Sequence, residues 1–213
     1  TGGGIGIDYS RLRPAGKELS RTGGTASGPI PLMYAINEIG RNVMQGGSRR
    51  SAIYASLNWQ HEDVQTFLTA KNWTDSVKAE KLKNFNAWAP LDMTNISVNY
   101  DDASLVGGLE NNEVFLKNVR QALETGEPGF SFNFGNKQNE TLRNACTEVT
   151  SEDDSDVCNL GSINMGNIRS LEEFKDVVSL ASKFLVCGTL RADLPYEKVY
   201  KVREKNRRLG LGI

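Results

Sequence analysis

Two apolar rhythms alternate along this chain, and their alternation restricts the fold more than any other feature. A period of two marks strands and a period near 3.6 marks helices. Gly2-Gly-Gly-Ile-Gly-Ile7 reads as a buried strand that another backbone or a ligand approaches closely. It fails the GxGxxG dinucleotide pattern, because Ile7 stands where a third glycine is needed. A loop follows through Arg11, Arg13, Pro14 and Gly16 to Thr22-Gly-Gly-Thr-Ala-Ser-Gly28. Pro29 suits a first helical turn, and Ile30, Met33, Ile36, Ile39, Val43 and Met44 recur at helical spacing up to Gln45-Gly-Gly47. Residues 51–57 then predict a strand, 61–70 a helix, 95–100 a strand, 112–124 a helix stopped by Gly126, and 130–134 an alternating strand. The polar, Lys-rich stretch 72–86 predicts a surface excursion, and 171–187 a helix with one apolar face that includes Cys187. Strands alternating with helices favour an α/β architecture over a bundle or a sandwich.

Composition narrows the function. A formal net charge of −1 argues against a large basic surface for DNA, and no apolar run is long enough to span a bilayer. The local cluster of Arg203, Lys205, Arg207 and Arg208 reads as one solvated helix face. Three widely spaced cysteines without a secretion signal point to the cytoplasm, with thiols kept reduced or used in catalysis rather than joined in a disulfide framework. Cys146, Cys158 and Cys187 form no C-x-x-C pair, so no metal site is expected. The chain starts at Thr1 without a methionine and stops inside an apolar pattern, so residues 1–213 read as part of one larger domain, inactive alone.

The chemistry concentrates in Asn144-Ala-Cys-Thr-Glu148, with Cys158 twelve residues beyond Cys146. In an extended segment, residues at i, i+2 and i+4 share a side, so an amide, a thiol and a carboxylate would converge. Glu148 opposes a second negative charge on Cys146, which disfavours a protease-like thiolate. His61, the single histidine, lies in Trp59-Gln-His-Glu-Asp63 and reads as a capping or packing residue rather than a base.

Six segments in register resemble the catalytic large subunit of ribonucleotide reductase. They are Gly2-Gly-Gly-Ile-Gly-Ile7 with Arg11-Leu-Arg13, Thr22-Gly-Gly-Thr-Ala-Ser-Gly28, Gln45-Gly-Gly-Ser-Arg-Arg50, Asn144-Ala-Cys-Thr-Glu148, Cys158-Asn-Leu-Gly-Ser-Ile-Asn164 and Asn206-Arg-Arg-Leu-Gly-Leu-Gly212. The resemblance implies part of a ten-stranded α/β barrel, two five-stranded parallel half-barrels with a central finger loop. It implies that Cys146 carries a thiyl radical, that Glu148 acts as general base, that Asn144 orients the sugar, and that Cys158 belongs to the dithiol pair that supplies two electrons. Gly4 matches a substrate-contacting glycine. Arg49 matches an arginine that reads the base, in a loop from Gln45 that senses the effector, and Arg13 matches a residue that pairs with effector phosphates.

By the same resemblance the substrate is a ribonucleoside di- or triphosphate, and dNTP or ATP acts as allosteric effector. A thioredoxin- or glutaredoxin-type protein restores the dithiol, and the helix from Pro29 contributes to a homodimer interface. Thr22-Gly-Gly-Thr-Ala-Ser-Gly-Pro29 leans toward the adenosylcobalamin-dependent class. Against that, Ala145 and Thr147 stand where that class often has Pro and Gly. The rival expectations are a class with a separate radical-generating small subunit, and a non-catalytic nucleotide-binding regulatory fragment.

Overall fold

Four parallel strands, β1 (Ile5–Asp8), β2 (Ile53–Asn58), β3 (Thr94–Tyr100) and β4 (Gly129–Phe132), lie side by side in chain order. They belong to the first of two compact units in a computed structural model that describes residues 4–43 and 50–213; this unit ends at Glu152 and the second runs from Asp153. A sheet whose order never reverses has no topological switch point and is the winding that barrels use. The four strands are consistent with part of such a barrel, and among the described residues the sheet is not closed.

The register assigns each side chain to a face. Ala55 pairs with Ile96, Leu57 with Val98, Val98 with Phe130 and Tyr100 with Phe132, so one face is apolar. Helices cover it: α1 (Pro29–Asn42), α2 (Val64–Leu68) and α4 (Glu113–Thr125). Met33, Phe67 and Leu68 pack with Ala55, Leu57, Ile96, Val98 and Tyr100 in the buried core. The opposite face is polar, with Tyr54, Ser56, Asn95, Ser97, Asn99 and Ser131 at the intervening positions and Gly6 and Asp8 beside them on β1; Gly4 comes just before β1 and Asn133 just after β4.

Local chemistry sets the helix ends. Pro29 stands at the start of α1, where its missing N–H removes no helical hydrogen bond. The side chain of Asn112 accepts the Phe115 N–H at 3.1 Å, and Gly126 closes α4 in the left-handed conformation at φ 86°. The buried Asn37 of α1 accepts from the Met93 N–H at 3.0 Å and the Thr94 hydroxyl at 2.9 Å, which fixes α1 against the start of β3. Met33 is buried as the spacing predicts, whereas Ile39 and Val43 are exposed. The excursion over 72–86 contains a helix, α3 (Asp75–Lys83), capped by Thr74 and with no buried residue.

Two sequence expectations for this unit need correction. The strand at Ile5 is not buried; it is the outer strand of the sheet and its side chains are half-buried or exposed. The helix expected over 61–70 spans only Val64–Leu68, because the residues before it serve as a turn. The Asp63 N–H donates to His61 Nδ1 at 3.1 Å, which leaves Nε2 as the donor to the Leu12 carbonyl at 3.0 Å. His61 thus ties two loops together, in keeping with its packing role.

Asp92, in the turn just before β3, anchors α1 and α3. Its carboxylate, 3% exposed, pairs with Arg41 and with Lys81, the latter at 2.7 Å. Burial alone would raise its pKa, but hydrogen bonds from Lys81 and Arg41 outweigh that and hold it below the usual carboxylate value. A depressed folded-state pKa stabilises at neutral pH, and the contribution disappears as pH falls through that depressed value. Asp92→Asn should therefore lower unfolding stability by about 3 kcal/mol at pH 7, because two cations lose their buried partner. In urea titrations the gap to wild type should narrow once pH drops below about 3.9; a gap independent of pH would contradict the assignment.

In the second unit, β7 (Asn159–Ser162) pairs in parallel with β8 (Leu209–Gly212). Between them run α5 (Leu171–Arg191) and α6 (Glu197–Asn206). Ser170 caps α5 by accepting the Glu173 N–H at 3.1 Å. The basic cluster is a solvated face only in part: Lys205 and Arg207 are exposed as expected, whereas Arg203 is buried and Arg208 half-buried. Arg203 is 7% exposed and donates to the Thr189 and Ala192 carbonyls, both at 3.2 Å, at the end of α5. Lys205 pairs with Asp153 and Arg208 with Asp156. Cys187 was expected in a core but is exposed, on a helix whose Leu180 and Phe184 are also exposed.

Candidate active site

A short antiparallel hairpin, β5 (Leu142–Arg143) with β6 (Thr150–Ser151), carries Asn144, Cys146 and Glu148 in the loop at its tip. The segment is a turn, not the extended strand that the i, i+2, i+4 argument assumed. The Thr147 N–H donates to the Asn144 carbonyl at 3.1 Å, and the Asn144 side-chain Oδ1 accepts the Val149 N–H at 3.1 Å. These two bonds satisfy backbone groups of the loop from within the loop itself. Thr147, at φ 72°, is a β-branched residue in the left-handed region, a strained conformation placed between the thiol and the carboxylate.

The hairpin lies on the polar face of the sheet. Ala145 is 4% exposed, and its carbonyl accepts from Asn95 Nδ2 at 3.2 Å. A Cβ added at Gly4 would stand 2.6 Å from the Ala145 Cβ, and one at Gly6 only 1.6 Å from the Arg143 carbonyl oxygen. Gly6 of β1 and Gly4 just before it are therefore bare so that the hairpin can pass over them, the close approach that the first motif predicts. Arg143 extends over β4, donating to Ser131 Oγ at 2.5 Å and to Asn133 Oδ1 at 3.1 Å. Burial pushes the Tyr54 phenol above its ordinary pKa, against the lowering influence of the Ser97 and Ser131 hydroxyls and the Arg143 charge. Cys146 and Glu148 are exposed at the tip, and Asn144 is half-buried beneath them.

A loop anchored on a polar sheet face with an exposed thiol at its tip is what a finger loop requires. A family model described as the ribonucleotide reductase barrel domain matches residues 1–90 and 93–213. The chain belongs to the ribonucleotide reductase barrel-domain family. It is 29% identical over its whole length to the vitamin B12-dependent ribonucleoside-diphosphate reductase of Thermoplasma acidophilum, covering 30% of that protein. It is equally 29% identical, again over its whole length, to the enzyme of the same name from Mycobacterium tuberculosis, covering 33% of it. The ribonucleoside-diphosphate reductase subunit alpha of Chlamydia trachomatis is 25% identical over 99% of the chain, which covers 25% of that subunit. The chain thus spans a third or less of the length of these relatives.

Within this barrel domain the expected site residues fall in several places. Gly4, Asn144, Cys146 and Glu148 belong to one locality through the contact between Gly4 and Ala145. Arg13 is exposed in the loop after β1. Gln45 and Arg49 lie outside the described residues. Cys158 belongs to the second unit, half-buried at the start of β7, with its sulfur 3.8 Å from where a Gly210 Cβ would stand. At position 147 a glycine would adopt φ 72° without the strain that Thr147 carries.

The sequence reading missed Arg143, Gly6, Asn95 and Ser131. One signal was available: serine and asparagine recur at alternate positions of strands that also carry an unbroken apolar alternation, which means both faces are covered. That pattern announces a polar partner without naming it.

Proposed function

We propose that the full-length protein reduces ribonucleotides to 2′-deoxyribonucleotides by thiyl-radical chemistry at Cys146. The observation that carries this reading is the exposed Cys146 thiol, held between Asn144 and Glu148 at the tip of a hairpin packed over bare glycines. The Cys146 sulfur radical takes the 3′ hydrogen atom of the ribose, and Glu148 accepts the 3′-hydroxyl proton as general base. Asn144 commits its Oδ1 to the Val149 N–H, so its Nδ2 donors are what it offers a sugar hydroxyl. The 2′-hydroxyl leaves as water. Two electrons and the protons come from a dithiol that includes Cys158 and ends as a disulfide, and Cys146 recovers its hydrogen. Gly4 takes the part of a main-chain substrate contact in this reading, which its closeness to Ala145 in the Cys146 loop supports.

The names of the Thermoplasma and Mycobacterium relatives support adenosylcobalamin as the radical source. When bound, that cofactor supplies the radical that withdraws the thiol hydrogen. What the described residues offer it is the exposed S–H of Cys146, open to an external carrier. The Chlamydia subunit supports a second reading, in which a separate small subunit supplies the radical. Arg13 contributes to a dNTP or ATP effector site together with the segment from Gln45 to Arg49, and a guanidinium suits its phosphates. The exposed Leu32 and Ile39 of α1, with Val43 just after it, support a homodimer contact on that helix. A thioredoxin- or glutaredoxin-type protein in the cytoplasm restores the dithiol. Among the described residues no helix is long and apolar enough to cross a membrane.

The full-length protein, given a dithiol reductant and adenosylcobalamin, should convert ribonucleoside di- or triphosphate to the deoxy product without a second subunit. Activity that appears only with a small subunit would select the second reading, and no turnover in either mixture would defeat both.

A further inference from the structure

Ser131 and Asn133 sit on the polar face of the sheet, each 2% exposed, and buried polar atoms of this kind require partners. Arg143 supplies them through the fork of its guanidinium, Nε to the serine and Nη2 to the asparagine. The same Nη2 reaches the Phe132 carbonyl at 3.5 Å, and Nη1 reaches the Thr147 carbonyl at 3.5 Å. The main chain of Arg143 meanwhile presses against Gly6. One residue therefore grips both outer strands, β1 with its backbone and β4 with its side chain. It also holds the strained residue that separates Cys146 from Glu148.

On the reductase reading of this loop, we propose that Arg143 is its positioning residue: it fixes where the thiol and the carboxylate stand without touching substrate. A lysine cannot replace it, because a single ammonium lacks the planar fork that serves Ser131, Asn133 and the Thr147 carbonyl together.

The test uses the full-length protein and the variants Arg143→Ala, Arg143→Lys and the double variant Ser131→Ala/Asn133→Ala. For each, kcat per folded enzyme, KM and the alkylation rate of Cys146 by iodoacetamide, read by peptide mapping, are compared with wild type. Arg143→Ala should lower kcat by about 100-fold, the effect of an ångström-scale misplacement of reacting groups. Its KM should stay within about threefold, since no substrate contact is removed. The alkylation rate of Cys146 should change in the same variants, and Arg143→Lys should fall between wild type and alanine. If Arg143→Ala does not fold, the lysine and double variants decide. Lower thermal stability with unchanged kcat and unchanged Cys146 reactivity would reduce Arg143 to a structural role and overturn the proposal. A rise in KM that accounts for the whole loss would overturn it in favour of substrate contact. Cys146→Ser, assayed alongside, separates the two levels: if it stays active the reductase reading fails, whereas an inactive Cys146→Ser beside a fully active Arg143→Ala sinks only the positioning role.

Discussion

Cys146→Ser in the full-length protein is expected to abolish nucleotide reduction while effector binding and thermal stability stay at wild-type values. The side chain is exposed. The bonds that shape the tip belong to the Asn144 side chain and to backbone groups, which serine leaves in place. What serine removes is the weak S–H bond: an alcohol O–H is too strong to give up its hydrogen atom to a carbon-centred radical. Glu148→Gln is the informative comparison, because it keeps the shape and deletes only the base, for a loss of about 10²- to 10⁴-fold. The two substitutions thus rank radical carrier above base. Unchanged reduction in Cys146→Ser would refute the enzyme reading and leave the non-catalytic nucleotide-binding alternative. Loss of effector binding as well would show that the fold had been damaged.

Gly6→Ala should be almost as damaging, though it touches no reacting group. Its new methyl would stand 1.6 Å from the Arg143 carbonyl oxygen, a backbone atom that no rotamer change can move aside. Either β1 or the hairpin must shift, at a stability cost of about 3 kcal/mol, the upper end for overpacking. A shift of even 1 Å at the tip should reduce turnover by about 100-fold. Gly4→Ala provides the control, because its methyl would meet the Ala145 Cβ at 2.6 Å, a side-chain atom that can be deleted. Gly4→Ala/Ala145→Gly should recover much of the activity that Gly4→Ala loses, while no substitution of the Arg143 side chain should rescue Gly6→Ala. Wild-type turnover in Gly6→Ala would show that the hairpin does not lie on β1.

These two cases divide what was legible. The alternation of periods correctly gave the four strands near residues 5, 53, 94 and 129, and placed α1 and α4 within a few residues of their ends. It failed at 61–70, where the Asn58 side chain accepts the Gln60 N–H, the His61 ring accepts the Asp63 N–H and the Asp63 carboxylate accepts the Ala15 N–H, loop contacts that compete with helix formation. It failed at Cys187 and at Arg203, where burial depends on what packs alongside and not on the residue's own type.

At the site, the residue types of Asn144, Cys146 and Glu148 only disfavoured a protease-like thiolate, and it was the resemblance carried by six separate segments that implied radical chemistry. Their arrangement was not legible. An extended segment would have aligned the three by period alone, but the segment is a turn, and Thr147 reverses direction at positive φ. The glycines in and just before β1 announced a close approach without saying what approaches. That partner is the Arg143 backbone, 137 residues further along the chain, a pairing that local preference cannot encode. The sequence by itself determined most of the strands and helices and singled out the candidate reacting groups, because both follow from neighbours along the chain. Only the tertiary structure decided where those groups stand, because steric exclusion over bare glycines and the burial of Ser131 and Asn133 beneath Arg143 exist only once distant segments have packed.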